Sequence, residues 1–228
     1  EAVRGAQLRP LAHGAGRLMA AGRYDAVLCD LLTGLLNTWD LWDAAARGEA
    51  PGRRWRMAYL RVTFAQPGPY VSYEDLVREA ARQEDISAAA VQALFDGYGG
   101  LRPWPGVAET LKAVQARGIS VGVVTNCSVA LGAKAVAGVG VDFDAVTIAE
   151  TSGWYKPNPK AYAAGLAALG ATAERTLYVA GSPFDIAGAH NAGMDVFWHN
   201  QAGMAPGDGG APVVMDARTF APLLDFLN

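Results

Sequence analysis

The chain is poor in several things that whole classes of protein require. It has two cysteines, Cys29 and Cys127, both in apolar strand-like segments. That is too few for a disulfide framework, so the cysteines read as inert core residues and the cytoplasm as the compartment. It has three histidines, of which His190 falls on a helix and His199 after a strand. With no Gly-x-Ser-x-Gly elbow, a Ser-His-Asp hydrolase built on Ser128 or Ser182 is not expected. No apolar run approaches the ~20 residues of a membrane span. Residues 1–23 carry Arg4, Arg9, Arg17 and Arg23 without the continuous apolar core of a signal peptide, so they read as an N-terminal extension, with Met19 as a conceivable start. There is no basic run, and the net charge of −3 argues against a nucleic-acid partner.

What is present is a core. Hydrophobic residues make up 51% of the 228 and charged residues 18%, the balance of a globular chain. Ala26-Val27-Leu28-Cys29 ends on Asp30, and a Thr33-Gly34 turn follows. This is the pattern of a buried parallel strand that delivers a carboxylate to its C-terminal edge. Residues 37–102 then carry helical signals only: around Trp39 to Ala46, and over 53–64, 73–83 and 88–98. Beyond them strand and helix alternate, with strands expected at 120–124, 145–149, 177–180 and 194–198. Helices are expected at 107–117, 128–137, 159–169, 186–192 and 219–227, and a Gly/Pro-rich loop at 203–212. The pattern predicts an α/β fold, a Rossmann-like doubly wound parallel sheet with a helical cap inserted after the first strand. Residues 24–36 and 103–228 form the core and 37–102 the cap, placed where a lid over the sheet edge belongs.

The expected strands end on the same kind of residue. Asp30 closes the first, Thr125-Asn126 the second, and Ser182 with Asp185 the fourth, while Lys156-Pro157 lies between the third and fourth. In a doubly wound sheet these groups meet in one crevice.

This order resembles the haloacid dehalogenase superfamily. Asp30 matches the nucleophile of its first motif, Asp-x-Asp-Gly-Thr or Asp-x-Tyr-Gly-Thr. Thr125 matches the second motif's Ser/Thr. Lys156-Pro157 followed by Tyr162 matches the third, and the stretch from Tyr178 to Asp185 the fourth. The resemblance implies an aspartyl-ester hydrolase. The departures bear on the metal. In the superfamily's phosphatases Mg²⁺ is held by both first-motif acids and the first acid of motif four. Those last two positions are Leu32 and Gly181 here. Mg²⁺ requires octahedral oxygen ligands, so a metal-independent enzyme without a cofactor is expected, similar to the 2-haloacid dehalogenases.

In that subgroup the Asp attacks the α-carbon of a small 2-substituted acid and water hydrolyses the ester. The resemblance assigns catalytic roles to Asp30, Lys156, Asp185, Thr125, Asn126 and Arg56, the last from a Trp55-Arg56 pair like one that opens the relatives' cap helix. It places Leu32, Thr33, Ser182 and Tyr162 at the substrate, with Trp39 and Trp42 as an apolar wall and Arg61 as a competitor to Arg56. A small carboxylic acid is the expected partner, without nucleic acid or membrane, and a homodimer through core and cap helices is compatible. Ser182 stands where those enzymes have Asn, which leaves room for another leaving group. Azetidine-2-carboxylate would suit if Asp185 protonated its nitrogen. A Mg²⁺-dependent small-molecule phosphatase and a catalytically degenerate binding protein are the alternatives.

Overall fold

The computed structural model describes residues 22–66, 68–206 and 210–227. Expectations for residues 1–21, Met19 among them, and for 207–209 of the Gly-rich loop lie outside the described residues. A four-residue strand, β1 (Ala26–Cys29), is fully buried. It has the near-continuous apolar composition of a strand covered on both faces. Side chains alternate between two layers: Val27 and Cys29 join the larger apolar cluster, and Leu28 the smaller one on the opposite face.

The helices α1 (Trp39–Ala45), α2 (Glu49–Phe64), α3 (Tyr73–Gln83) and α4 (Ala88–Gly97) follow β1 without an intervening strand. Ser72 and Ser87 cap α3 and α4 by accepting from Asp75 N and Ala90 N, which satisfies backbone donors that a helix start leaves open. Leu36 and Pro103 form an antiparallel bridge, and Asn37 N donates to Arg102 O. The chain therefore leaves and re-enters the sheet layer side by side.

The remainder alternates: α5 (Val107–Ala116), β2 (Ser120–Thr125), α6 (Val129–Val139), β3 (Ala145–Ile148), α7 (Ala149–Ser152), α8 (Pro159–Leu169), β4 (Thr176–Ala180), α9 (Pro183–Asn191), β5 (Asp195–His199), β6 (Met215–Ala217) and α10 (Pro222–Phe226). All strands pair in parallel, in the order β3-β2-β1-β4-β5-β6. This is the doubly wound Rossmann-like arrangement. Cys29 pairs with Val123 of β2 and Val179 of β4, so the loops after β1, β2 and β4 emerge together at one edge.

Some elements differ from the sequence expectation: the short helix α7 was not expected, and α10 starts at Pro222 rather than at 219. A sixth strand, β6, closes the far edge in the stretch between the expected loop at 203–212 and the expected helix at 219–227, where no element was expected. Its three residues read as a loop until β5 supplies a partner. Helix α9 begins at Pro183, one turn earlier than expected, with Pro in the first-turn position where its missing N–H costs nothing. No helix among the described residues is long and apolar enough to cross a membrane. Both cysteines are free and buried.

Candidate active site

Asp30 is the first residue past β1, and its own N–H still pairs with Val179 O at 2.9 Å. The chain then turns tightly, so that the N–H groups of Thr33 and Gly34 point back at Asp30 Oδ2, at 3.1 and 2.9 Å. Glycine is required at 34, because a Cβ there would lie 2.5 Å from Asp30 O. The other oxygen, Oδ1, accepts from Lys156 Nζ at 2.9 Å.

Lys156 precedes a cis Lys156–Pro157 bond, and its backbone is clamped by Asn126. Asn126 Oδ1 accepts from Lys156 N at 2.7 Å, while Asn126 Nδ2 donates to Lys156 O at 3.0 Å. The lysine side chain is 1% exposed. Its ammonium reaches Asp30, Asp185 Oδ2 at 2.6 Å and Tyr178 Oη at 2.9 Å. Tyr162 and Tyr178 hydroxyls both donate short hydrogen bonds to Asp185.

Burial alone would push the Asp30 carboxyl up. The Lys156 charge and hydrogen bond, with the two backbone N–H groups, outweigh it and hold Asp30 below its ordinary range. Burial would likewise discharge Lys156, but Asp185 and Asp30 hold its ammonium above the ordinary lysine value. Asp185 moves up, first through burial and further through Asp30, against the pull of Lys156. Of the two acids beside Lys156, Asp30 is thus the one whose anionic form the site favours more strongly.

Arg56 reaches the same place from α2. It is 2% exposed. Its Nη2 donates to Thr33 Oγ1 at 2.8 Å and Leu32 O at 3.3 Å, and its guanidinium stacks over Trp39 at 4.8 Å. Among the described residues it has no carboxylate partner, and its buried Nε has no acceptor. Thr125 Oγ1 is also buried without a partner. A cation and a hydroxyl left unsatisfied beside one nucleophile is a costly arrangement unless an anionic ligand completes it.

These groups enclose a small cavity lined by Asp30, Leu32, Thr33, Arg56, Thr125, Asn126, Lys156 and Ser182, and by Tyr59, Leu60 and Phe64 of α2. Its free volume, about 20 Å³ for the centre of a water-sized sphere, holds roughly one water. Phe64, on the cavity wall, packs against Phe184 of α9 with the rings tilted and their centroids 5.5 Å apart.

The structure thus brings Asp30, Leu32, Thr33, Arg56, Thr125, Asn126, Lys156 and Ser182 to one cavity, and it corrects the other placements. Asp185 and Tyr162 lie behind Lys156, 1% and 0% exposed, and do not face substrate. Asn126 lines the cavity, but its amide is committed to Lys156. Trp42 is core, packed on Trp55 and Tyr59. Trp39 supports Arg56 from a separate surface groove. Arg61 points outward to Glu84, with its side chain 60% exposed.

The apolar wall is instead Tyr59, Leu60 and Phe64. A signal for it existed: Arg56, Tyr59, Leu60 and Thr63 fall at i, i+3, i+4 and i+7, and all are buried. His199 was also missed. Its Nδ1 lies 2.7 Å from Gly34 O, and burial pushes it down toward the neutral form. The ring therefore donates to the nucleophile loop from β5.

A magnesium ion does not fit this set. Asp30 and Asp185 both face the Lys156 ammonium, and Leu32 has no side-chain oxygen, while its carbonyl already accepts from Arg56 and Thr38. A Cβ on Gly181 would lie 2.0 Å from Gly34 N and 2.3 Å from Thr33 C, so no side chain can stand there. The double substitution L32D/G181D is therefore expected to disrupt the Thr33–Gly34 turn rather than create a metal site. Mg²⁺-dependent phosphatase activity should be absent, and thermal stability lower than in L32D alone.

A family model described as haloacid dehalogenase-like hydrolase matches residues 28–193. Haloacetate dehalogenase H-2 of Moraxella sp. (strain B) is 27% identical over 199 residues, 80% of this chain and 88% of that protein. The (S)-2-haloacid dehalogenase of Pseudomonas fluorescens is 26% identical over 167 residues, 69% and 74% of the two chains. Among solved structures, an L-2-haloacid dehalogenase from Xanthobacter autotrophicus with chloropropionic acid covalently bound superposes with a TM-score of 0.74. It is 20% identical and covers 89% of this chain and 98% of its own; at that identity the likeness speaks for the fold.

Proposed function

Because the chain belongs to the haloacid dehalogenase-like hydrolases, we propose that it hydrolyses the carbon–halogen bond of a small 2-haloacid without a metal, through an ester on Asp30. The observation that carries this is Asp30 held as an anion by Lys156 beside a buried Arg56 that has no carboxylate partner among the described residues and whose Nε has no acceptor, with no room for a side chain at Gly181. The names of the relatives support the substrate class.

The two oxygens of Asp30 suit different tasks. Oδ1, next to the ammonium, attacks the α-carbon as the halide leaves with the bonding electrons. Oδ2 rests on two backbone N–H groups. It stays the carbonyl oxygen of the ester and takes the negative charge when water adds to the Asp30 carbonyl carbon, as an oxyanion hole requires. Arg56 and the Thr125 hydroxyl supply donors for the substrate carboxylate or the departing halide. Tyr59, Leu60 and Phe64 exclude bulk water, which strengthens these interactions. Two buried free cysteines accord with a cytoplasmic location.

Halide is favoured over the strained amine by one placement. Among the described residues Asp30 is the one carboxylate on the cavity wall, so no acid stands ready to keep a ring nitrogen protonated.

The test is halide release from a panel of 2-haloacids in metal-free buffer with chelator. Full activity is expected; loss of activity on chelation and recovery with Mg²⁺ would overturn the reading. The cavity holds roughly one water here, so a 2-haloacid enters only as its lining side chains give way, and the smaller acid is favoured. Chloroacetate should exceed 2-chloropropionate in kcat/KM by roughly 10–100-fold, the usual discrimination for one methyl group. Phe64→Ala should narrow that ratio.

A further inference from the structure

We propose that Tyr178, on β4, is a positioning residue that completes the hydrogen-bond coordination of Lys156 and holds its ammonium against the nucleophile. The inference rests on Asp30 being that nucleophile. An ammonium has three N–H donors. Here they have three acceptors: Asp30 Oδ1 at 2.9 Å, Asp185 Oδ2 at 2.6 Å and Tyr178 Oη at 2.9 Å. The lysine is 1% exposed, so water is not a ready substitute. Tyr178 Oη accepts from Lys156 and donates its own O–H hydrogen bond to Asp185 Oδ2. The remaining oxygen of Asp185 accepts from Tyr162.

A phenol suits the third position because it is neutral. A third carboxylate would add repulsion to a site that already holds two acids for one cation. The arrangement matters most in the ester intermediate. Asp30 is then uncharged, and Asp185 is the anion left beside Lys156. Tyr178 ties that pair together, so the ammonium stays aimed at the ester instead of swinging wholly to Asp185.

The titratable groups facing Lys156 are Asp30 and Cys29 from the β1 end, Tyr178 from β4, Tyr162 from α8 and Asp185 from α9, with Arg56 of α2 beyond Asp30. Burial pushes Cys29, Tyr162 and Tyr178 up, which keeps them neutral. The charges that matter are the two carboxylates and the two cations.

Tyr178→Phe keeps the edge-on contact with Tyr162 at 5.5 Å and removes only the hydroxyl. It should lower kcat roughly tenfold and move the alkaline limb of kcat/KM down by about one pH unit, the scale of one hydrogen bond to a charge. The acidic limb, set by Asp30, should not move. Tyr162→Phe, which loses a bond to Asp185 but none to Lys156, should leave the alkaline limb in place.

A second measurement is independent of turnover. Lys112, Lys134 and Lys160 are exposed, so the K112R/K134R/K160R background leaves Lys156 as the sole lysine of four. Its ¹³Cε resonance should titrate at lower pH after Tyr178→Phe. An unmoved resonance together with an unmoved alkaline limb would overturn the inference even in an active dehalogenase. A shifted resonance in a protein that releases no halide would overturn the proposed reaction and leave the coordination standing.

Discussion

Asp30→Asn is expected to lower kcat by on the order of 10⁴–10⁶, the range lost when a covalent nucleophile is removed. The carboxamide keeps the shape, and its oxygen can still accept from the Thr33 and Gly34 N–H groups. It lacks the charge that displaces a halide, and its NH₂ faces the Lys156 ammonium if the oxygen stays on the backbone donors. The fold should survive, because Lys156 keeps Asp185 and Tyr178 as partners. Circular dichroism and thermal melting separate this outcome from unfolding. A variant that retains a tenth of the native rate would show that Asp30 only positions substrate.

Lys156→Met should cost both activity and stability. The substitution leaves Asp30 and Asp185 buried together without a cation, and breaking a buried ion pair from one side costs about 3–5 kcal/mol. kcat should fall by at least on the order of 10² near neutral pH, because the carboxylate loses the cation that aims it at the α-carbon.

The pH dependence has a definite sign. In the native protein Asp30 is lowered, so its contribution to stability is present above the ordinary aspartate value of 3.8 and fades as pH falls through the folded value. Lys156 is raised, so its contribution is complete below the ordinary value of 10.5 and fades as pH rises through the folded value. Without the lysine both carboxyls move up, and the variant loses stability as pH rises from 4 toward 8. Denaturant melts at several pH values check this. A Lys156→Met protein as stable at pH 8 as at pH 5 would mean that the acids are not coupled through the lysine.

Much of this site could be read along the chain because it consists of strand ends. Asp30, Thr125, Lys156 and Ser182 each follow an apolar run or precede a proline turn, and a parallel sheet brings such positions together whatever the details of packing. Arg56 was legible through its place after Trp55, by resemblance alone, and the structure supplies the physical reason. It interrupts the buried stripe of α2, and a charge on a core-facing stripe is out of place unless the site uses it. Arg61 is not on that stripe.

What could not be read depended on direction rather than position. Tyr178 looks like filler in a buried strand, since all five residues of β4 are buried. Only the register of β4 against β1 turns its hydroxyl toward Lys156. The resemblance gives Asp185 a catalytic role and places Tyr162 at the substrate, yet Lys156 stands between them and the cavity. Gly181 reads as a missing metal ligand, and the close approach of the Thr33–Gly34 turn supplies the steric reason. The resemblance gives Asn126 a catalytic role at the end of β2. Here it satisfies both backbone groups of Lys156, which no local pattern announces.

The account turns on an ester between Asp30 and the α-carbon, and isotope labelling tests it most directly. Enzyme in excess over chloroacetate, in H₂¹⁸O without metal, should complete one turnover and release glycolate with no ¹⁸O, while the peptide containing Asp30 gains one ¹⁸O by mass spectrometry. Water adds to the Asp30 carbonyl carbon, so the oxygen handed to the product is the one the aspartate already carried. Label in the glycolate and none in the Asp30 peptide would mean that water attacks the α-carbon itself, and the nucleophilic role of Asp30 would be wrong.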